Sequence, residues 1–158
     1  MDATAVAALI GRSLGWEEAK ASFEHVTEGV PFELQGVRPQ GLHHSLWELL
    51  EHVRITQADI LEFCTSADYH ERAWPAEYWP TSAAPPDETA WPASVAAVQR
   101  DRSALAALLG EHADDLLWPV PGSDEGQPLL REALLVLDHT SYHVGQMVTV
   151  RTLLGVWG

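Results

Sequence analysis

The chain of 158 residues has a single cysteine, Cys64, so no internal disulfide can form. A lone thiol fits a reducing compartment. Cys64 follows Phe63 in an apolar helical pattern, which favours a small buried hydrophobe over a reactive group. Long hydrophobic runs are also missing. Stretches such as Leu134 to Leu137 are short, and none approaches the roughly 18–20 apolar residues of a membrane span. The opening Met1-Asp2-Ala3-Thr4 lacks the basic start of a secretory signal. The expectation is a cytoplasmic protein with no membrane partner. Positive charge is scarce: 9 Lys and Arg stand against 23 Asp and Glu, a formal net charge of −14. Binding a phosphate backbone needs clustered cations that displace counterions. Arg100 and Arg102 only flank Asp101, so nucleic acid is not an expected partner. No stretch alternates apolar and polar residues long enough to suggest a sheet. There is no GxSxG, no phosphate-cradling glycine loop and no CxxC. In HExxH a glutamate beside the metal serves as base; here Thr140 stands in that place, which argues against a zincin peptidase.

What is present is helical. Hydrophobic residues make up 46% of the chain, enough for a buried core in one domain spanning 1–158. Four segments carry a helical period. The first spans about Thr4 to Gly29, with Val6, Leu9, Trp16 and Phe23 on one face and Gly11 and Gly15 weakening it. The second spans about Ser45 to Ala67, with Leu46, Leu49, Val53, Thr56, Ile60 and Phe63 recurring at intervals of three and four. Ser45 and Glu48 there resemble a capping box. The third spans about Pro86 to Gly110 on a stripe of Val95, Val98, Leu105 and Leu109, with Asp87 or Thr89 as its cap. The fourth spans about Pro128 to Leu154, with Leu129, Ala133, Val136, His143, Met147, Val150 and Leu154 on one face and Gly155 as its stop. Four long amphipathic helices predict an all-α four-helix bundle. The connection over about 68–86 is long and holds Trp74, Tyr78, Trp79 and four prolines. Its rings point to packing across the core rather than disorder.

The chemistry concentrates in the fourth helix, at Asp138-His139-Thr140-Ser141-Tyr142-His143. Residues four apart on a helix differ by about 40° and rise about 6 Å, so both imidazoles can address one site. His52 borders the stripe of Leu49, Val53 and Thr56 and is the best third ligand. Three histidines with no evident fourth ligand match an open metal site, with positions left for water or substrate. Imidazole suits Zn, Ni, Cu and Fe alike. Spacing alone equally allows two polar core residues, or one ring buried and one exposed.

Near these residues, Glu48 is either a proton acceptor beside the metal or only a helix cap. Tyr142 and Gln146 either line the cavity or make satisfied core hydrogen bonds. Asp138 points about 100° away from His139, which favours a role as a partner behind the ligands or on the surface over ligation. His44 lies about 80° around and 12 Å along the helix from His52, too far to share an ion. His43 falls on the opposite face, and His25, His70 and His112 read as surface residues. Trp47, Trp74, Trp79 and Trp157 are candidates to wall a pocket.

The run Asp138-His139-Thr140-Ser141-Tyr142-His143-Val144-Gly145-Gln146, followed by Arg151-Thr152-Leu153-Leu154-Gly155-Val156-Trp157, resembles the closing helix of the DinB/YfiT-like metalloprotein superfamily. His44-Ser45-Leu46-Trp47-Glu48-Leu49-Leu50-Glu51-His52 resembles its second helix. The helix order and the Trp/Pro-rich middle loop agree, and the likeness covers nearly the whole chain. Thr140 and Ser141 stand where relatives often carry Asn-Ala.

The resemblance implies a metal triad of His52, His139 and His143 holding one divalent ion, with Zn first and Ni, Fe or Mn as alternatives. Relatives include thiol-dependent transferases and isomerases that use bacillithiol, mycothiol or glutathione, and they commonly pair as homodimers. It therefore implies a thiol-dependent S-transferase acting on small electrophiles with a low-molecular-weight thiol as cosubstrate. A metal-dependent hydrolase and a non-catalytic, metal-containing stress-response binding protein are the competing readings. Fold likeness constrains the metal site better than the substrate.

Overall fold

The computed structural model describes residues 3–16 and 19–158. Among these described residues six α-helices follow one another: α1 Ala3–Ser13, α2 Phe23–Thr27, α3 Phe32–Gln35, α4 Leu46–Thr65, α5 Ala90–Glu111 and α6 Leu129–Leu153, with a 3₁₀ turn at Ala76–Tyr78 between α4 and α5. Among the described residues there is no β-strand, only an isolated bridge between Pro119 and Pro128. The four long helices form the bundle: α4 packs against α5 and α6, and α1 packs against α5. No helix of the described residues is long and apolar enough to cross a membrane.

Local chemistry sets the boundaries of α4 and α6. Ser45 caps α4: its hydroxyl accepts from the Glu48 amide at 3.2 Å, while the Glu48 carboxylate accepts from the Ser45 amide at 2.8 Å. This reciprocal pair is the capping box expected from the sequence. α6 ends in a left-handed glycine, Gly155 at φ +74°. The Val156 amide then reaches back to the Arg151 carbonyl at 3.0 Å and satisfies an end carbonyl. α5 starts at Ala90 rather than at Pro86. The Asp87 carboxylate accepts from the amides of Thr89 at 2.8 Å and Ala90 at 3.2 Å, forming a turn ahead of the helix.

The first expected helix is not continuous. α1 stops at Ser13, and α2 begins only after Ser22, whose hydroxyl caps it by accepting from the His25 amide at 3.1 Å. Gly15 makes continuation unfavourable, and the Ser22 cap stabilises a fresh start. The expected stripe of α1 shifts with the break. Leu9 and Trp16 are 46% and 41% exposed, whereas Ala7 and Leu14 are buried. The short α3 carries too few residues to show a period.

Arg151, near the end of α6, ties α2 to the bundle. One guanidinium nitrogen donates to the carbonyls of His25, Val26 and Glu28 at 3.2, 3.0 and 2.8 Å. The other side of the fork donates twice to the Val156 carbonyl.

The core divides into two apolar clusters. One gathers Leu46, Leu49, Leu50 and Val53 of α4 with Val144, Met147 and Val150 of α6. The other gathers Ile60 and Cys64 of α4 with Leu129, Ala133 and Val136 of α6. α4 and α6 traverse the two clusters in opposite order, and each carries a less apolar stretch between them, a seam over 54–59 and 138–143. His52 borders this seam on α4, and His139 and His143 fall within it on α6.

Candidate metal centre

His52, His139 and His143 converge at the seam. The Nε2 of His139 lies 3.1 Å from the Nε2 of His52 and 3.1 Å from that of His143. Each residue offers one ring nitrogen, and the three nitrogens lie within 4.8 Å of one another. His52 and His143 are buried and His139 half-buried. Burial, then the neighbouring rings of His143 and His52, pushes the His139 pKa down to about 3. Burial and His52 push that of His143 down to about 4. Burial likewise lowers the pKa of His52. All three rings are therefore neutral near pH 7, the form that ligates a metal.

The outer nitrogens fix how two of the rings present themselves. Nδ1 of His52 lies 2.7 Å from the carbonyl of Tyr78. A carbonyl only accepts, so Nδ1 carries the proton and Nε2 presents a lone pair. Nδ1 of His143 faces the carboxamide oxygen of Gln146 at 2.7 Å, with the same consequence. Two lone pairs thus aim at the His139 Nε2, which can donate a proton to only one of them. A cation at the centre would satisfy all three nitrogens, so this donor set fits a divalent ion with open positions.

The long loop supplies the walls. Trp79 is sandwiched between two imidazoles, stacked 3.9 Å from the His52 ring at 2° and 4.0 Å from the His44 ring at 10°. His44 therefore supports the site through Trp79, and it is not among the three converging rings. A hydrogen bond from the Ser45 hydroxyl to the Ala83 carbonyl, at 2.5 Å, pins the far end of the loop to the start of α4. Gly36 permits this path, since a Cβ there would sit 2.4 Å from that of Ala84.

The other candidates fall in different places. Glu48 is engaged by the capping box and by Arg38, whose Nε donates to it at 2.8 Å and whose Nη2 pairs with its other oxygen. Burial works to raise its pKa, but Arg38 and the cap amide outweigh this and hold it below the usual carboxylate range. Its hydrogen bonds go to these groups rather than to a triad imidazole. Tyr142 is 64% exposed, its ring centre 5.0 Å from that of His143. Asp138, His25, His43 and His70 are exposed, and His112 stacks on Trp118. Of the four tryptophans, only Trp79 packs on a triad ring. Trp47 is a core residue, Trp74 is 71% exposed, and Trp157 packs over Arg151 and His25. Cys64 is fully buried, and burial, with Glu132 nearby, drives its thiol pKa up to about 12.

Sequence reasoning missed Tyr78 as a partner of His52, because the contact is made by its backbone carbonyl, which no side-chain pattern reveals. It also missed Asp59, an acid on the same face of α4 whose seven-residue spacing from His52 was the available signal.

The fold is a helical bundle in which three histidines from two of its helices converge, an arrangement compatible with metal binding. Residues 16–147 match the family model described as the DinB superfamily, and the chain belongs to that superfamily. No curated protein and no solved structure matches it.

Proposed function

We propose that the protein binds one divalent metal ion, Zn first among the candidates, through His52, His139 and His143, and uses it to transfer a low-molecular-weight thiol to small electrophiles. The carrying observation is the donor set: two imidazoles oriented by their outer nitrogens, both presenting lone pairs to the third within 3.1 Å. A bound divalent ion would supply Lewis-acid chemistry, lowering the pKa of a thiol or a water.

The remaining contributions come from the chain itself. His52 and His143 arrive in the right tautomer. Trp79 covers one face of His52 and keeps water from it. Gln146 holds His143 on one side and lines a cavity of about 190 Å³ on the other, together with Leu42, His44, Leu49, Thr149 and Val150. None of the three triad imidazoles lines this cavity, so it does not define the substrate. No protein nucleophile is required, and Cys64, a buried thiol that stays protonated, is unsuited to be one. Homodimerisation belongs to the same reading and has a surface to use: Leu134, Tyr142 and Leu153 stand exposed along the outer face of α6.

The test is an assay of the Zn-loaded protein with bacillithiol, mycothiol and glutathione against a panel of small electrophiles, run beside ester and amide panels. Thiol consumption that depends on the metal supports the reading. Metal-dependent turnover of esters or amides without thiol would replace it with a hydrolase. Bound metal with no turnover in any panel would leave a non-catalytic binding protein.

A further inference from the structure

Asp59 is an acid buried to 6% exposure at the middle of α4, two turns beyond His52. Seven residues on a helix return to nearly the same face about 10 Å further along. A buried carboxylate needs partners, and among the described residues those of Asp59 come from the long loop. Its Oδ2 accepts from the Tyr78 hydroxyl at 2.8 Å. The Tyr69 hydroxyl lies 3.3–3.4 Å from both oxygens. Arg72 Nε pairs with Oδ1 at 3.2 Å.

Tyr78 is therefore held at both ends by one helix. Its hydroxyl is bound to Asp59 and its backbone carbonyl to Nδ1 of His52. The next residue, Trp79, lies flat on the His52 ring. Among the described residues no other polar side chain of α4 bonds to residues 69–79. Burial, then the bond to Asp59, raises the Tyr78 pKa, so its phenol remains a donor across the working range of pH.

We propose that Asp59 is a positioning residue for the metal centre. Through the Tyr78 hydroxyl it holds the loop carbonyl on His52 Nδ1, and so fixes the tautomer and the inward aim of His52 Nε2. The inference rests on the metal-binding reading for its effect on affinity. Its effect on the His52 tautomer stands without a metal.

The test uses the full chain and four variants. Asp59→Leu removes the acceptor, Tyr78→Phe removes only the hydroxyl, and Asp59→Asn keeps an acceptor oxygen. Gln57→Leu is the control: it removes the bond from Gln57 to the Val98 carbonyl on another side of α4, with no link to the loop. Zn affinity is read by competition with a chromophoric chelator, and the His52 tautomer by nitrogen NMR of the metal-free protein. Asp59→Leu and Tyr78→Phe are expected to bind Zn about tenfold more weakly, the range seen when outer partners of a metal-ligating histidine are lost. They should also show a mixed His52 tautomer. Asp59→Asn should recover most of the affinity, and Gln57→Leu should match the wild type in both readouts. A single Nδ1-protonated His52 in Asp59→Leu and Tyr78→Phe, or affinities within twofold of the wild type, would overturn the proposal. If the wild type binds no Zn while the tautomer shift appears in the variants, the metal reading fails and the positioning role of Asp59 stands.

Discussion

The triad histidines are neutral by construction, and this has a direct consequence for stability. In an unfolded chain a histidine titrates near 6.5. In the folded protein His139 titrates at about 3 and His143 at about 4, chiefly because burial opposes the charged form. Above pH 7 the rings are neutral in both states and cost nothing. As pH falls from 6.5, the unfolded chain takes up protons that the folded site refuses. The metal-free protein therefore loses stability progressively toward pH 4. Lowered carboxylates such as Glu24 and Glu48 act in the same direction but only below the ordinary carboxylate pKa, so the interval from 6.5 to 5 reports mainly on histidine. Urea midpoints measured without metal should fall between pH 7.5 and pH 5, and the slope should be shallower in His139→Ala. A flat profile in the wild type would show that the three rings are not buried together.

At the scale of elements, helices long enough to show a period were legible in the sequence. Those set by a few residues were not. α4, α5 and α6 follow their apolar stripes to within a few residues, because caps and breakers such as Ser45 and Gly155 act locally. The break between α1 and α2 was hidden, since a stripe continued by eye through Trp16 to Phe23 hides the cost of Gly15 and the pull of the Ser22 cap. Arg151 was hidden for another reason: a charged residue near a helix end usually faces solvent, and only the folded chain brings the end of α2 to it. Arg151→Met keeps the apolar stem but leaves the carbonyls of His25, Val26, Glu28 and Val156 without this donor. Loss of hydrogen bonds to a charged group should cost roughly 2–3 kcal/mol in chemical denaturation. A change below about 0.5 kcal/mol would mean that water replaces the guanidinium at this junction.

For the molecule as a whole, the site is a property of the core's division. Two apolar clusters close the bundle on either side of the seam, and the polar groups collected between them would be costly without partners. The pair His139 and His143 could be read from helical spacing, and His52 from its place on the α4 stripe. Sequence spacing could not choose between a metal site and satisfied polar core residues. The fold turns the protonated nitrogens of His52 and His143 outward and the bare ones in, which is compatible with the first. Of the supports of the site, Trp79 could be read as a pocket wall and Asp59 carried a signal in its spacing from His52, whereas the contacts of Tyr78 lay out of reach because a loop without a period gives no register to place them.

The most direct measurement of this account is metal content by elemental mass spectrometry on protein purified without an affinity tag or added metal, beside the His139→Ala variant checked for helicity by circular dichroism. The account predicts about one divalent ion per chain in the wild type and its loss from a folded variant. No metal in the wild type, even after incubation with Zn, Ni, Mn and Fe, would contradict it and leave a helical binding protein with three converging but unliganded histidines.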